Sequence, residues 1–272
     1  MSIMTTRRSI VRVPASAASG SASGSGGGTT PDDIAVEEPL VLAQHGTALA
    51  TLLRPPGHAL ELAAGWLVVE SGVRRADDIR TLRACREDAT DRVHIDLREG
   101  VRPPRPRAFV TSAACGVCSA DVLDLALLRG AAPHHEGWTV AAEVLAALPG
   151  LMRPRQPGFD RTGGLHAAAL ATPAGQLLWV REDIGRHNAV DKVVGRALLD
   201  GALPATDHLL VVSGRVSFEI VQKAVAAGVA GIVAVSAPSS LAVDLAREHG
   251  LVLAGMVRGG GLNIYAGTDV VS

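Results

Sequence analysis

LLVVSGRVSFEIVQKAVAAGVAGIVAVS, residues 209–236, reads as a strand, a polar turn, a helix and a second strand. Leu209–Ser213 and Gly231–Ser236 are short apolar runs bounded by turn residues, and Phe218–Ala227 spans the gap as a crossover helix. A crossover of this kind joins parallel neighbours in one sheet. Upstream, helix Asn188–Leu199 sets Val190, Val193, Val194, Ala197 and Leu198 on one face. Downstream, helix Leu241–His249 and strand Leu251–Val257 continue the alternation. His166–Thr172 and Gln176–Glu182 read as strands joined across Pro173-Ala174-Gly175, a hairpin signal. Helices over Ser119–Leu128 and Val140–Leu148 precede them. The second half of the chain therefore predicts an α/β fold with a largely parallel sheet.

The first half reads differently. Ala15 to Thr30 is almost entirely Ser, Gly and Ala, too poor in apolar surface to offset the entropy of ordering. Structure is expected from about Ile34. Ala59–Glu70 is an apolar helix closed by Gly72, and Val93, Ile95 and Leu97 alternate with polar residues as in a half-buried strand. Arg102–Arg107, with three prolines, has the composition of a connector.

Composition excludes several function classes. The 272 residues are 47% hydrophobic and 19% charged, as in an ordinary globular protein. A net charge of −1 gives no basis for binding nucleic acid or a membrane surface, and the seven aromatic residues leave few platforms for base stacking. Three cysteines with one close pair do not make a disulfide framework; they fit a reducing compartment. No apolar run follows Arg7-Arg8, so no secretory signal is expected; the acid-free, Ser/Ala-rich residues 1–31 leave a mitochondrial presequence as the weaker alternative. The charge-free stretch Ala224–Val243 is interrupted by glycines, Pro238, Ser239 and Ser240, and reads as helix, strand and loop rather than a membrane span. A soluble cytoplasmic protein is expected.

Chemistry collects in two places. The first is Cys115-Gly116-Val117-Cys118, which runs into a helical pattern whose N-terminus would favour thiolate over thiol. Spacing leaves three readings open: a zinc site, a redox pair, or sulfur carriage. No second ligand pair exists for structural zinc, a thioredoxin-like pair would sit earlier, and the small neighbours Ala113, Ala114 and Gly116 would let a partner's cysteine approach. The second place is the carboxyl edge of the sheet, where ligands bind in open α/β folds. There stand Arg181–Asn188, Ser213-Gly214-Arg215 and Ser236–Ser240. Each segment alone is an ordinary strand-to-helix turn, but three on one edge point to a site for phosphate oxygens. His187 opens a helix and suits either proton transfer or capping. His166 and Cys85 read as structural, Cys85 as a buried inert thiol. Glu182 and Asp183 read most simply as ion-pair partners of Arg181 and Arg186.

Thr111–Cys118, TGGLHAAAL (162–170), REDIGRHNAVDKVVGRAL (181–198), SGRVSFEIVQKA (213–224), AVSAPSSLAV (234–243), Glu38-Pro39-Leu40 and ELAAGWLVVESG (61–72) together closely resemble the formate dehydrogenase accessory sulfurtransferase (FdhD) family. The resemblance runs in order from about residue 36 to the end. It implies a cytidine-deaminase-like three-layer α/β domain with a smaller N-terminal α+β domain, forming a homodimer. The chain then divides into a disordered Ser/Gly-rich leader (1–33), the N-terminal domain (34–110) and the α/β domain (111–272), whose last strand is free to pack with the N-terminal domain.

It also implies a sulfur carrier that takes sulfur from a cysteine desulfurase as a persulfide on Cys115, with Cys118 auxiliary. The sulfur passes to the molybdenum cofactor, bis-molybdopterin guanine dinucleotide, before that cofactor enters formate dehydrogenase. The family's cofactor stretch falls on Val257-Arg258-Gly259-Gly260-Gly261-Leu262, and Ser213, Arg215, His187 and Ser239 join it as candidate cofactor contacts; a guanine nucleotide would occupy the same site. No resident metal is implied. Ser119 and Gly261 depart from the family's usual glycine and basic residue at those positions. The zinc deaminase signature is absent, so deaminase chemistry is not implied. The alternative is a chaperone that binds the molybdenum cofactor without sulfur chemistry.

Overall fold

A computed structural model of the protein describes residues 4–12, 29–87, 89–106, 110–111 and 138–272. Cys115, Cys118 and the expected helix Ser119–Leu128 lie outside the described residues.

The first two strands, β1 (Thr5–Val11) and β2 (Thr29–Ala35), pair antiparallel. Residues 5–11 and 29–33, expected to belong to a disordered leader (1–33), are thus corrected to strands, while the Ser/Gly-rich stretch 13–28 lies outside the described residues. The Thr, Ile and Val content of β1 suits a strand, and its register sets Arg7 opposite Asp33 and Arg8 opposite Asp32. Asp33 also accepts from Arg161, and that bond, with Arg7, holds its carboxyl below the usual range against a small opposing effect of burial.

A five-stranded sheet follows, in the order β5-β6-β3-β4-β7. Its strands are β3 (Glu38–Gln44), β4 (Thr47–Arg54), β5 (Ile79–Glu87), β6 (Thr90–Leu97) and β7 (Val110–Thr111), with helix α1 (Ala59–Glu70) between β4 and β5. Val93, Ile95 and Leu97 point into the core, as their alternation requires.

The remainder comprises α2 (Ala142–Met152), α3 (Pro157–Thr162), β8 (His166–Ala171), β9 (Leu177–Asp183), α4 (Arg186–Leu199), β10 (Leu209–Val212), α5 (Phe218–Ala227), β11 (Gly231–Ala234), α6 (Ser240–Glu248), β12 (Val252–Arg258) and β13 (Gly261–Ala266). Its six strands lie in the order β13-β12-β11-β10-β8-β9. Only β10, β11 and β12 run parallel; β8, β9 and β13 join antiparallel. The expected largely parallel sheet is thus a mixed one, because tight turns at Pro173–Gly175 and Gly259-Gly260 fold β9 and β13 back on their neighbours. β13 pairs with β12, so the last strand belongs to this sheet and not to the N-terminal part.

Helices cover both faces. Leu209, Val211, Val233, Val252 and Ala254 meet Leu145, Leu148 and Met152 of α2. The alternate residues Leu210, Val212, Ile232 and Leu253 share the opposite core with α4, α5 and α6. That second core continues without a break through α1 into Leu40, Leu42, Val93 and Ile95 of the five-stranded sheet.

The join is the crossing of α1 on α4. A Cβ on Gly65 would lie 1.9 Å from the Asp191 carbonyl oxygen, and one on Gly195 would lie 1.8 Å from that of Glu61. Only glycine permits backbones to approach this closely. Arg181 grips Glu61 alongside through bonds of 2.5 and 2.8 Å. Burial alone would raise the Glu61 carboxyl, but the bonds from Arg181 and His58 outweigh it and bring the pKa down from 4.5 to about 2.

Two outcomes follow for stability. Gly65→Ala or Gly195→Ala should force the helices apart and cost at least about 1–3 kcal/mol in urea unfolding. Because the Glu61 pKa is depressed on folding, its contribution is complete above pH 4.5 and disappears as pH falls toward 2. The stability gap between the natural chain and Glu61→Gln, followed by urea midpoints, should therefore close across that window.

Candidate functional site

β10, β11 and β12 end on the same edge of the six-stranded sheet, and their neighbours deliver more groups to it. β8 runs antiparallel to β10, so it starts there with His166; β9 returns there, with Asp183 opposite His166. The helices α4 and α5 begin at this edge with free backbone N–H groups, which favours negative charge.

The acidic residues of the edge are committed to structure. The Glu182 carboxylate accepts from the Gly158 and Phe159 N–H groups at 2.9 and 2.7 Å, capping α3. Asp183 Oδ1 accepts from Gly185 N–H at 2.9 Å and Asn188 Nδ2 at 3.1 Å, while Oδ2 lies 2.7 Å from Lys192 Nζ in a fully buried pair. Burial pushes the Asp183 carboxyl up and the Lys192 amine down, with each charge opposing the shift of the other. Arg181 is taken by Glu61. The ion pairing expected among Arg181, Glu182, Asp183 and Arg186 is thus corrected: every partner but Arg186 is engaged elsewhere.

Arg186 and Arg215 have no carboxylate partner among the described residues, and the Arg186 Nε is buried without a hydrogen bond. His166 is half-buried nearby; a Cβ on Gly214 would sit 3.3 Å from its Nδ1 and 3.6 Å from Arg186 Cδ. Burial is the main cause that lowers the His166 pKa, and Arg186 and His187 add to it. The result is a cationic cluster with small residues between the strand ends, suited to an anion.

The other expected contacts are distributed along the edge. His187 Nε2 lies 3.1 Å from Ser217 Oγ and 3.0 Å from Glu219 Oε2, tying α4 to α5. Ser213 Oγ accepts from Ala167 N–H at 2.9 Å, and Ser239 Oγ caps α6 by accepting from Ala242 N–H at 3.3 Å. Both hydroxyls therefore hold the edge in shape. In the stretch Val257–Leu262, Val257 is buried in the sheet core. Arg258 pairs in register with Gly261 across a two-residue turn whose Gly259 and Gly260 both have positive φ. The three glycines make a hairpin tip at the end of β12, with open space where Cβ atoms of Gly259 and Gly260 would project.

β7 brings the chain toward this edge from the other sheet. Thr111, the end of β7 and four residues before Cys115, pairs with Leu52 of β4. The next carbonyl of β4, Leu53 O, accepts from Asn188 Nδ2 at 2.9 Å. Thr111 is thus the described residue that stands nearest the cysteine stretch, on the side of β4 that meets the first turn of α4 with Arg186 and His187.

Residues 35–272 match the FdhD/NarQ family, and the chain belongs to it. It is 44% identical to the sulfur carrier protein FdhD of Streptomyces coelicolor, over 100% of this chain and 97% of that one. It is 48% identical to the protein of the same name from Nocardia farcinica, over 87% of each chain, and 43% identical to that of Mycobacterium tuberculosis, over 90% of this chain and 93% of the other. A crystal structure from Desulfotalea psychrophila, provisionally assigned as a formate dehydrogenase accessory protein, shares the fold with a TM-score of 0.76 at 22% identity, covering 99% of this chain and 100% of that one. Among the described residues, no helix is long and apolar enough to cross a membrane.

An anion held by Arg186 and Arg215 would offset the positive field on His166 and raise its pKa. NMR titration with and without inorganic phosphate should show that rise in the natural chain and a reduced one in Arg186→Ala. An unchanged His166 titration would contradict the assignment.

Proposed function

We propose that this protein carries sulfur on Cys115 for the maturation of a formate dehydrogenase. The observation that supports this most is a cluster of two arginines with no carboxylate partner among the described residues, at the first turn of α4, toward which the β7–β4 pairing and the Leu53–Asn188 bond bring Thr111, four residues before Cys115. A thiol carrier must meet its acceptor, and an anionic pterin nucleotide would bind at such a cluster.

Loading is a displacement. The Cys115 thiolate attacks the outer sulfur of a persulfide on a cysteine desulfurase, forming Cys115–S–SH and releasing the donor's thiolate. Delivery is assisted by the Cys118 thiolate, which attacks the inner sulfur: the Cys115–Cys118 disulfide forms and hydrosulfide leaves, its two electrons supplied by the thiol pair; where Cys118 is replaced, an external thiol attacks the same sulfur more slowly and leaves a mixed disulfide on Cys115. The acceptor is the molybdenum cofactor, bis-molybdopterin guanine dinucleotide, bound as substrate. Arg186, Arg215 and the α4 and α5 N-termini would hold its phosphates, His187 and Ser213 would shape the site, and the Arg258–Leu262 hairpin would flank it. A guanine nucleotide would fit the same place. We read the three layers around the six-stranded sheet as cytidine-deaminase-like, and the working form as a cytoplasmic homodimer.

Incubation with a cysteine desulfurase and cysteine should add about 32 Da, the mass of one sulfur, to the Cys115 peptide, and dithiothreitol should remove it. Absence of the adduct from a protein that still supports formate dehydrogenase would reject the carrier role in favour of a cofactor-binding chaperone.

A further inference from the structure

The β5–β6 hairpin is the outermost ribbon of the five-stranded sheet. Its register places Cys85 opposite Arg92, Glu87 opposite Thr90 and Arg83 opposite His94. Val93 and Ile95 face the core, so the alternate residues share the outer face. On that face Cys85 Sγ lies 3.2 Å from Glu87 Oε1, and His94 Nε2 lies 2.8 Å from the same oxygen. All three donor atoms lie within 4.8 Å of one another. Cys85 is half-buried and bonded to Glu87, which corrects its reading as a buried inert thiol; only the hairpin register brings His94 near it.

We propose that Cys85, Glu87 and His94 form a Zn²⁺ site on this face, with water as fourth ligand. Thiolate, imidazole and carboxylate together are the donor set of a borderline-soft cation. Bond lengths of about 2.0–2.3 Å around a tetrahedral ion require donor separations of roughly 3.3–3.7 Å. The two separations to Glu87 Oε1, 2.8 and 3.2 Å, fall a few tenths of an ångström short of those values, so small rotations of the side chains admit the ion without moving the backbone. Arg92 Nε holds Glu87 Oε2 at 3.0 Å and leaves Oε1 turned toward the thiol and imidazole. Arg92 and Arg83 also face the site as cations; they favour the thiolate and oppose the metal, which sets a moderate affinity. The ion would displace the proton that Cys85 now shares with Glu87.

The test uses the full chain carrying Cys115→Ser and Cys118→Ser, so that the second thiol pair cannot compete. With Zn²⁺ alone, calorimetry and metal analysis should show one ion per chain. Adding Cys85→Ser or His94→Ala should weaken binding at least about tenfold, with thermal unfolding showing that each variant remains folded. Co²⁺ in place of zinc should give a thiolate-to-cobalt absorption band that Cys85→Ser abolishes. No stoichiometric zinc in the Cys115/Cys118 variant, or equal affinity after Cys85→Ser, would overturn the proposal.

Discussion

The contact of α1 on α4 through Gly65 and Gly195 is the constraint on which the rest of this molecule depends. It brings two helix backbones together so closely that no side chain fits between them, and thereby fuses two sheets into one core. Van der Waals contact supplies attraction without direction; the direction comes from Arg181, which reaches from β9 to Glu61 on α1. One turn before the Asp191 contact, Asn188 of α4 donates to the Leu53 carbonyl of β4. The position of α1 therefore fixes where β4 and β7 stand relative to the edge of the other sheet.

Polar groups near that edge divide into two kinds. Glu182, Asp183, Lys192, Asp191 and Lys223 are buried or nearly so, and each has its partner: Asp191 meets Lys223 at 2.7 Å across α4 and α5, as Asp183 meets Lys192 within the β9–α4 turn. Buried pairs of this sort add little net stability but are costly to break, so they hold one arrangement against others. Arg186 and Arg215 are the second kind. They have no carboxylate partner among the described residues and stand beside His166, whose pKa burial and their positive charge lower. Arg54, fully buried with two guanidinium nitrogens lacking hydrogen bonds beyond its pair with Asp91, belongs to neither group.

Much of this was legible in the residues. Helix Ala59–Glu70 and helix Phe218–Ala227 have the bounds their sequence patterns suggest, and the alternation of Val93, Ile95 and Leu97 gave the burial of β6 correctly. Strand direction was less legible: apolar runs such as Leu209–Val212 carry no sign, and the antiparallel additions of β8 and β13 depend on turns and on long-range pairing. The N-terminal strands were hidden because Thr, Arg and Ser dominate β1, and its cross-strand Arg–Asp pairs are visible only once the partner is known. The same limit applied to the site. The edge segments were recognisable as polar turns, yet which arginine was left unpaired depended on Glu61, more than a hundred residues upstream, taking Arg181. Ser213 and Ser239 accept from backbone N–H groups, a role the sequence did not disclose, and each keeps its O–H to donate to a phosphate.

The central claim concerns one sulfur atom and its neighbour in the chain. A strain lacking formate dehydrogenase activity for want of this function should be complemented side by side with Cys115→Ser and Cys118→Ser chains at matched protein levels. The account predicts that Cys115→Ser restores no activity while Cys118→Ser restores part of it. Full restoration by Cys115→Ser would contradict it.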